Sequence, residues 1–70
     1  MKRSVLVVSQ ALDGWKLFDE GCAVFWFLEK ETALEVAKTI AKTRNFYSDR
    51  PTAVDLDAAQ QPRERVATYG

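Results

Sequence analysis

The residues whose types and spacing most suggest chemistry are two carboxylates, Asp55 and Asp57, in a segment that alternates between apolar and polar side chains. On a strand, this spacing places both on one water-facing side, where a pair could bind a metal ion or act as general acid and base. Cross-strand ion pairs offer a simpler role. If residues 58–62 close a regular hairpin, Asp57 faces Arg63 and Asp55 faces Arg65. We therefore predict two structural ion pairs here.

The candidate nucleophile of the sequence, a cysteine, lacks neighbouring groups that would activate it. Cys22 is the one cysteine of the sequence, which contains no His. A reactive thiolate needs a nearby base or positive charge, whereas the preceding Asp19 and Glu20 disfavour it. One Cys and no His also exclude an internal disulfide and argue against a structural zinc site. We predict no catalytic, metal-binding or cofactor-binding residues, and hence a protein that is not an enzyme.

Composition limits the class of protein further. The chain has 70 residues, is 47% hydrophobic and 29% charged, and balances 10 Lys plus Arg against 10 Asp plus Glu. We expect residues 1–70 to form one small domain, with no bulk attraction to polyanions. The initial apolar run ends at Val8, too short for a signal peptide or a membrane span. A cytoplasmic location is therefore expected, with no membrane partner and a free thiol.

Hydrophobic periodicity predicts the elements that must position these residues. Strands are predicted at 5–8, 15–18, 22–28, 52–57 and 63–69, and an amphipathic helix at 30–43. Asn45 is the predicted left-handed stop of the helix. The order β-β-β-α-β-β predicts an α+β fold, in which one helix packs on one face of an antiparallel or mixed sheet and the first three strands form a meander.

Three short motifs carry a resemblance. They are the pair Gly14-Trp15 at the second strand, the helix entry Phe27-x-x-Lys30-Glu31-x-Ala33, and the closing Thr68-Tyr69-Gly70. On these motifs the chain resembles a family of small bacterial domains of unknown function. The resemblance implies a sheet with one covering helix and supplies no catalytic motif. The chain departs from the family pattern at Glu29, where a capping Thr is usual, and at Phe18 and Trp26, where polar residues are expected.

The turn between the second and third strands determines which side chains face the helix. We expect a three-residue turn at 19–21, which pairs Trp15 with Phe25 and Leu17 with Ala23. Phe25 then packs beneath the helix together with Trp15 and Leu17.

The predicted third strand, residues 22–28, is apolar on both faces. One helix covers one face, and the uncovered face of an antiparallel sheet is normally polar. Here Phe18, Val24 and Trp26 are expected on the uncovered face, as an apolar patch that needs a cover. Three covers remain open: a segment such as Phe46-Tyr47 or the chain terminus, a second copy of the chain, or another protein.

These observations predict a non-enzymatic interaction module that self-associates, most simply as a homodimer, with Trp26 as the anchor of the interface. The alternative is a nucleic-acid-binding adaptor that uses four basic residues of the helix and the following loop. These residues are Lys38, Lys42, Arg44 and Arg50. Ordinary solvated charge on the outer helix face accounts for them better, because Glu31 and Glu35 share that face. Nucleic acid is therefore the less favoured partner.

Overall fold

The computed structural model of the protein describes residues 2–70. Within this range the chain forms five strands and one helix in the predicted order, so the α+β prediction is confirmed. The elements are β1 (Ser4–Gln10), β2 (Trp15–Asp19), β3 (Cys22–Phe27), α1 (Lys30–Ser48), β4 (Thr52–Asp57) and β5 (Glu64–Tyr69). The strand bounds differ from the predicted ones by at most two residues.

The strands form one mixed sheet in the order β3-β2-β1-β4-β5. As predicted, β1, β2 and β3 form an antiparallel meander. The chain then crosses over through α1, and β4 pairs with β1 in parallel before β5 returns antiparallel to β4. Because parallel neighbours need a long crossover, α1 lies across one face of the sheet. The two edges of the sheet are β3 and β5.

A stripe of alanines joins α1 to the sheet. Their small side chains recur every four residues on one side of the helix and let its backbone come close to the strands. The fully buried residues of this core are Ala33, Ala37, Ala41, Leu6, Val8, Leu17 and Val54. The core is therefore centred on β1, β4 and the middle of β2.

The helix is longer than predicted. It ends at Ser48, and Asp49 takes the left-handed conformation with φ 54°. Asn45 lies within the helix, and its side chain donates a hydrogen bond of 3.2 Å to the carbonyl oxygen of Arg50. The prediction that Asn45 stops the helix was wrong. Pro51 accounts for the observed end, because a residue that precedes proline disfavours the helical conformation.

The turn between β2 and β3 has two residues rather than three. Glu20-Gly21 adopts φ values of 51° and 90°, the positive values that a tight hairpin turn requires. Trp15 therefore pairs with Phe27, and Leu17 with Phe25, which corrects the predicted register. The predicted register was wrong because Glu20, a residue with no preference for positive φ, takes part in the turn.

Asp55 is the centre of the ion pairs between β4 and β5. It pairs with Arg65 as predicted, with a distance of 2.6 Å between Arg65 Nε and Asp55 Oδ1. Arg63 also binds Asp55, at 3.0 Å, in place of the predicted pair with Asp57. Asp55 is only 5% exposed, so the expectation that it faces water was wrong. A buried carboxylate needs charged hydrogen-bond donors, and two arginines supply them.

The pairing of Asp55 makes the stability of the fold depend on pH. Burial tends to raise the pKa of Asp55, but the hydrogen bonds from Arg65 and Arg63 outweigh it and hold the pKa below its ordinary value. The unfolded chain therefore takes up a proton at higher pH than the folded chain. Asp55 stabilises the fold fully above pH ~4, and this contribution is lost as the pH falls from there through the lower, folded pKa.

We expect Asp55→Asn to lower the free energy of unfolding at neutral pH by about 2 kcal/mol, because it removes the charge that both arginines bind. The variant should also lose less stability than the wild type between pH ~5 and ~2. Urea denaturation across this range measures both effects. Asp57→Asn is the matched control: Asp57 is exposed, and its change should stay within about 0.5 kcal/mol. Equal effects of the two substitutions would contradict the assignment.

Candidate interaction surface

The side chains of β3 are exposed on both faces of the sheet. Val24, Phe25 and Trp26 are 45%, 53% and 48% exposed. The helix does not cover them, because α1 packs mainly against β4 and β1. On β1, by contrast, Leu6 and Val8 face the helix and are fully buried. These apolar side chains of β3 therefore lie at the protein surface, and we call Val24, Phe25 and Trp26 the β3 patch.

Two of the predicted interface residues lie on the outer face, the face of the sheet opposite α1. Phe18 pairs with Val7 and is half-buried, whereas Trp26 pairs with Lys16 and is exposed. Val24 falls at a bulge, where β3 has one residue more than β2, and it lines a shallow depression together with Lys16 and Trp26. The structure thus brings Phe18 and Trp26 to the outer face, with Val24 at the bulge near Trp26.

The outer face divides into an apolar and a charged part. A shallow depression of about 460 Å³ is floored by Val5, Val7 and Phe18. Asp57 and Arg63 line the same depression on the side of β4 and β5. The apolar part continues from the middle of the sheet toward β3, where Lys16 and Glu20 lie beside it, and Asp57 and Arg63 lie toward β5.

Phe46 and Tyr47, the predicted intrachain cover, do not reach the outer face. They lie on the last turns of α1, in the other layer of the fold, and are 76% and 79% exposed. Their rings contact each other edge to face, with centroids 4.8 Å apart. The other predicted cover was the chain terminus. Gly70 lies near Asn45 and Pro51, at the far end of α1. Neither segment covers the predicted patch.

Two of the four predicted nucleic-acid contacts, Arg44 on α1 and Arg50 in the loop after it, bind carboxylates at the end of β2 and in the β2–β3 turn. Arg44 donates hydrogen bonds of 2.9 and 2.8 Å to the carboxylate of Asp19, and one of 2.8 Å to Ser4 Oγ. The hydrogen bond from Arg44, partly opposed by burial, holds the pKa of Asp19 below its ordinary value. Arg50 forms an ion pair with Glu20. These two guanidinium groups are therefore already engaged by carboxylates.

The other two, Lys38 and Lys42, lie one turn apart on α1, where Lys38 is half-buried and Lys42 exposed. The structure does not bring the four basic residues together as one open patch. Their use by nucleic acid remains a prediction.

Comparison with known proteins gives no relative to guide the assignment. No family model matches the chain, and no curated protein or solved structure matches it. The resemblance to small bacterial domains therefore stays a prediction. Among residues 2–70, no three His, Cys, Asp or Glu side chains are placed to hold a metal ion, and α1 lacks the apolar length to cross a membrane. The surface must therefore be interpreted from its own chemistry.

The sequence patterns did not predict that Phe25 is exposed. The predicted and the observed registers both place Phe25 on the helix side of the sheet, but β3 is an edge strand that α1 covers only in part. Phe25 is therefore exposed there beside Phe27, with ring centroids 6.2 Å apart. A signal for this position exists in the order of elements. A parallel crossover places β4 next to β1, and the meander then leaves β3 at the edge of the sheet.

Trp26 is held in place by close contact with Gly14. A Cβ atom at Gly14 would lie 2.5 Å from Cζ2 of Trp26 and 2.5 Å from the carbonyl oxygen of Phe27. The indole therefore covers the glycine across the two strands, with one side on the protein and the other side toward solvent. The position of the predicted anchor residue depends on this glycine.

We expect Gly14→Ala to lower the free energy of unfolding by about 1–3 kcal/mol, because the added methyl group overlaps the indole and a backbone oxygen. It should also shift the tryptophan fluorescence maximum, since Trp26 must move. Urea denaturation followed by fluorescence measures both changes. Leu12→Ala, at an exposed position of the same loop, is the control and should change neither. A Gly14→Ala protein with wild-type stability and spectrum would contradict the proposed contact.

Proposed function

We propose that this protein is a small non-enzymatic interaction module that associates with itself through the apolar surface formed by the β3 patch and Phe18. The observation that carries the proposal is the exposure of three successive apolar residues, Val24 to Trp26, each close to half exposed. Residues 22–28 contain no charged side chain. Contiguous apolar surface of this kind marks interaction sites on small domains.

The energetics of burial support this proposal. A large aromatic side chain buries about 150–250 Å² when it is covered completely, so Phe25 and Trp26 each leave about 100 Å² in contact with water. Removing that area from water gives about 2.5 kcal/mol per side chain before the costs of association. Trp26 suits the role of anchor because Gly14 already restricts its indole, which limits the entropy lost on binding.

A binding role also agrees with the hydrogen bonding of the Asp55 carboxylate. Both oxygens of Asp55 accept hydrogen bonds from Arg63 or Arg65, so they are not free to bind a metal ion or accept a proton from a substrate. The nucleic-acid alternative is less well supported, because Arg44 and Arg50 would have to leave Asp19 and Glu20 to contact phosphate.

We expect the average mass in sedimentation velocity or light scattering to rise with protein concentration, from 7.9 kDa toward that of a dimer. Association should persist when salt is raised from about 0.1 M to about 1 M, because apolar burial is not screened. Added single-stranded DNA should not change the mass; binding that weakens steeply with salt would instead favour the nucleic-acid alternative.

Substitutions locate the interface. Trp26→Ala and Phe25→Lys should shift the protein to monomer, with folding of each variant checked by circular dichroism. Phe46→Lys is the matched control, since it replaces an exposed aromatic residue on α1 with the same charge and should leave association unchanged. An oligomer that survives Trp26→Ala, or a wild type that stays monomeric at every concentration, would overturn the proposal.

A further inference from the structure

We infer that the self-association proposed above is edge to edge, and that β3 of one copy pairs antiparallel with β3 of a second copy to join the two sheets into one. This inference rests on the proposed function and adds its geometry and partner. It begins from the position of β3 at the edge of the sheet, where the backbone groups that point away from β2 have no strand to pair with.

The two edge strands of the sheet, β3 and β5, differ in how well their charges prevent pairing with another chain. Edge strands usually carry charges that prevent pairing with another chain. On β5, Glu64 and Arg65 are exposed, and Arg63 precedes the strand. On β3, all six residues, Cys22–Phe27, are uncharged. The bulge of β3 lies at Val24, so its second half pairs regularly with β2. The edge of β3 is therefore the one that the sequence leaves open to a partner strand.

Symmetry favours a second copy of this chain as the partner. A two-fold axis perpendicular to the sheet makes the paired strands antiparallel and keeps both helices on the same side. The helix-side faces of the two sheets are then adjacent, and so are the outer faces. Phe25 lies near helix-side residues of the other β3, and Trp26 lies near its outer-face residues. One contact between the two β3 strands pairs the open β3 edge of both copies. Pairing of β3 with a second copy's β5 would leave one β3 edge unpaired and would place charges against apolar side chains.

The area available fits a reversible dimer. The half-exposed Phe25 and Trp26 offer about 100 Å² each, and Val24 and Leu28 offer a similar total, so two copies bury at most roughly 800 Å² of side chain. With the backbone atoms of the two strands the upper bound is about 1,000 Å², the lower limit for specific association. Because α1 packs mainly over β4 and β1, it does not block the approach of the second copy. We expect a dimer whose population depends on concentration.

Amide hydrogen exchange followed by NMR distinguishes edge pairing from packing of the outer faces. In the dilute monomer, alternate amides of β3 point away from β2 and should exchange rapidly. In the edge-paired dimer these amides form hydrogen bonds, and their exchange should slow by about tenfold or more at concentrations where the dimer predominates. The amides of β3 that already bond to β2 serve as the internal reference.

A pair of lysine substitutions tests which edge strand of the sheet the dimer uses. Val24→Lys puts a charge on the open edge and should abolish the dimer, whereas Thr68→Lys puts the same charge at an exposed position of β5 and should not. Circular dichroism checks that both variants fold.

The outcomes separate this inference from the proposed function. A dimer in which the alternate β3 amides exchange as fast as in the monomer would overturn edge pairing and leave self-association standing. A dimer lost in Thr68→Lys but kept in Val24→Lys would overturn it as well. A protein that remains monomeric at every concentration would overturn both proposals and leave the surface to a different protein.

Discussion

The parallel pairing of β4 with β1 determines where every other element of this fold lies. It requires a crossover, and α1 supplies it by crossing the sheet over β1 and β4. The first three strands form a meander that starts from β1, so the meander can extend only away from β4. As a result β3 occupies the edge, where the helix covers it only in part. The exposure of Phe25 and Trp26 follows from this order of strands.

Ion pairs secure the ends of the sheet that the small core does not reach. Arg44 and Arg50 attach the end of α1 and the loop after it to Asp19 and Glu20, next to the β2–β3 turn. On the outer face, Arg63 and Arg65 enclose Asp55. Two of the four basic residues that suggest nucleic-acid binding, Arg44 and Arg50, are thereby committed within the chain.

Local patterns in the sequence predicted the elements, and non-local relations account for the errors. Alternation identifies β4 and β5, apolar runs between turn residues identify strands of the meander such as β1 and β3, and the helical period identifies α1. The pairing of Asp55 with Arg65 also follows from a short hairpin. The burial of Asp55 does not, because it depends on β1 and β5 lying on either side of β4. The same limit applies to the candidate surface: residues 22–28 are visibly apolar, but only the strand order shows that they form an edge.

The bulge at Val24 constrains what such an edge can bind. It interrupts the regular pairing of β3 near its beginning, so the regular part available to a partner strand is short, about three residues from Phe25 to Phe27. Short pairing provides few backbone hydrogen bonds, and most of the favourable free energy must then come from the apolar side chains on either side of the edge. In the monomer Trp26 gains contact with Gly14 on one side, and Phe25 with Phe27. Their other sides remain in water, so we expect the proposed association through β3 to be specific in position and reversible in strength.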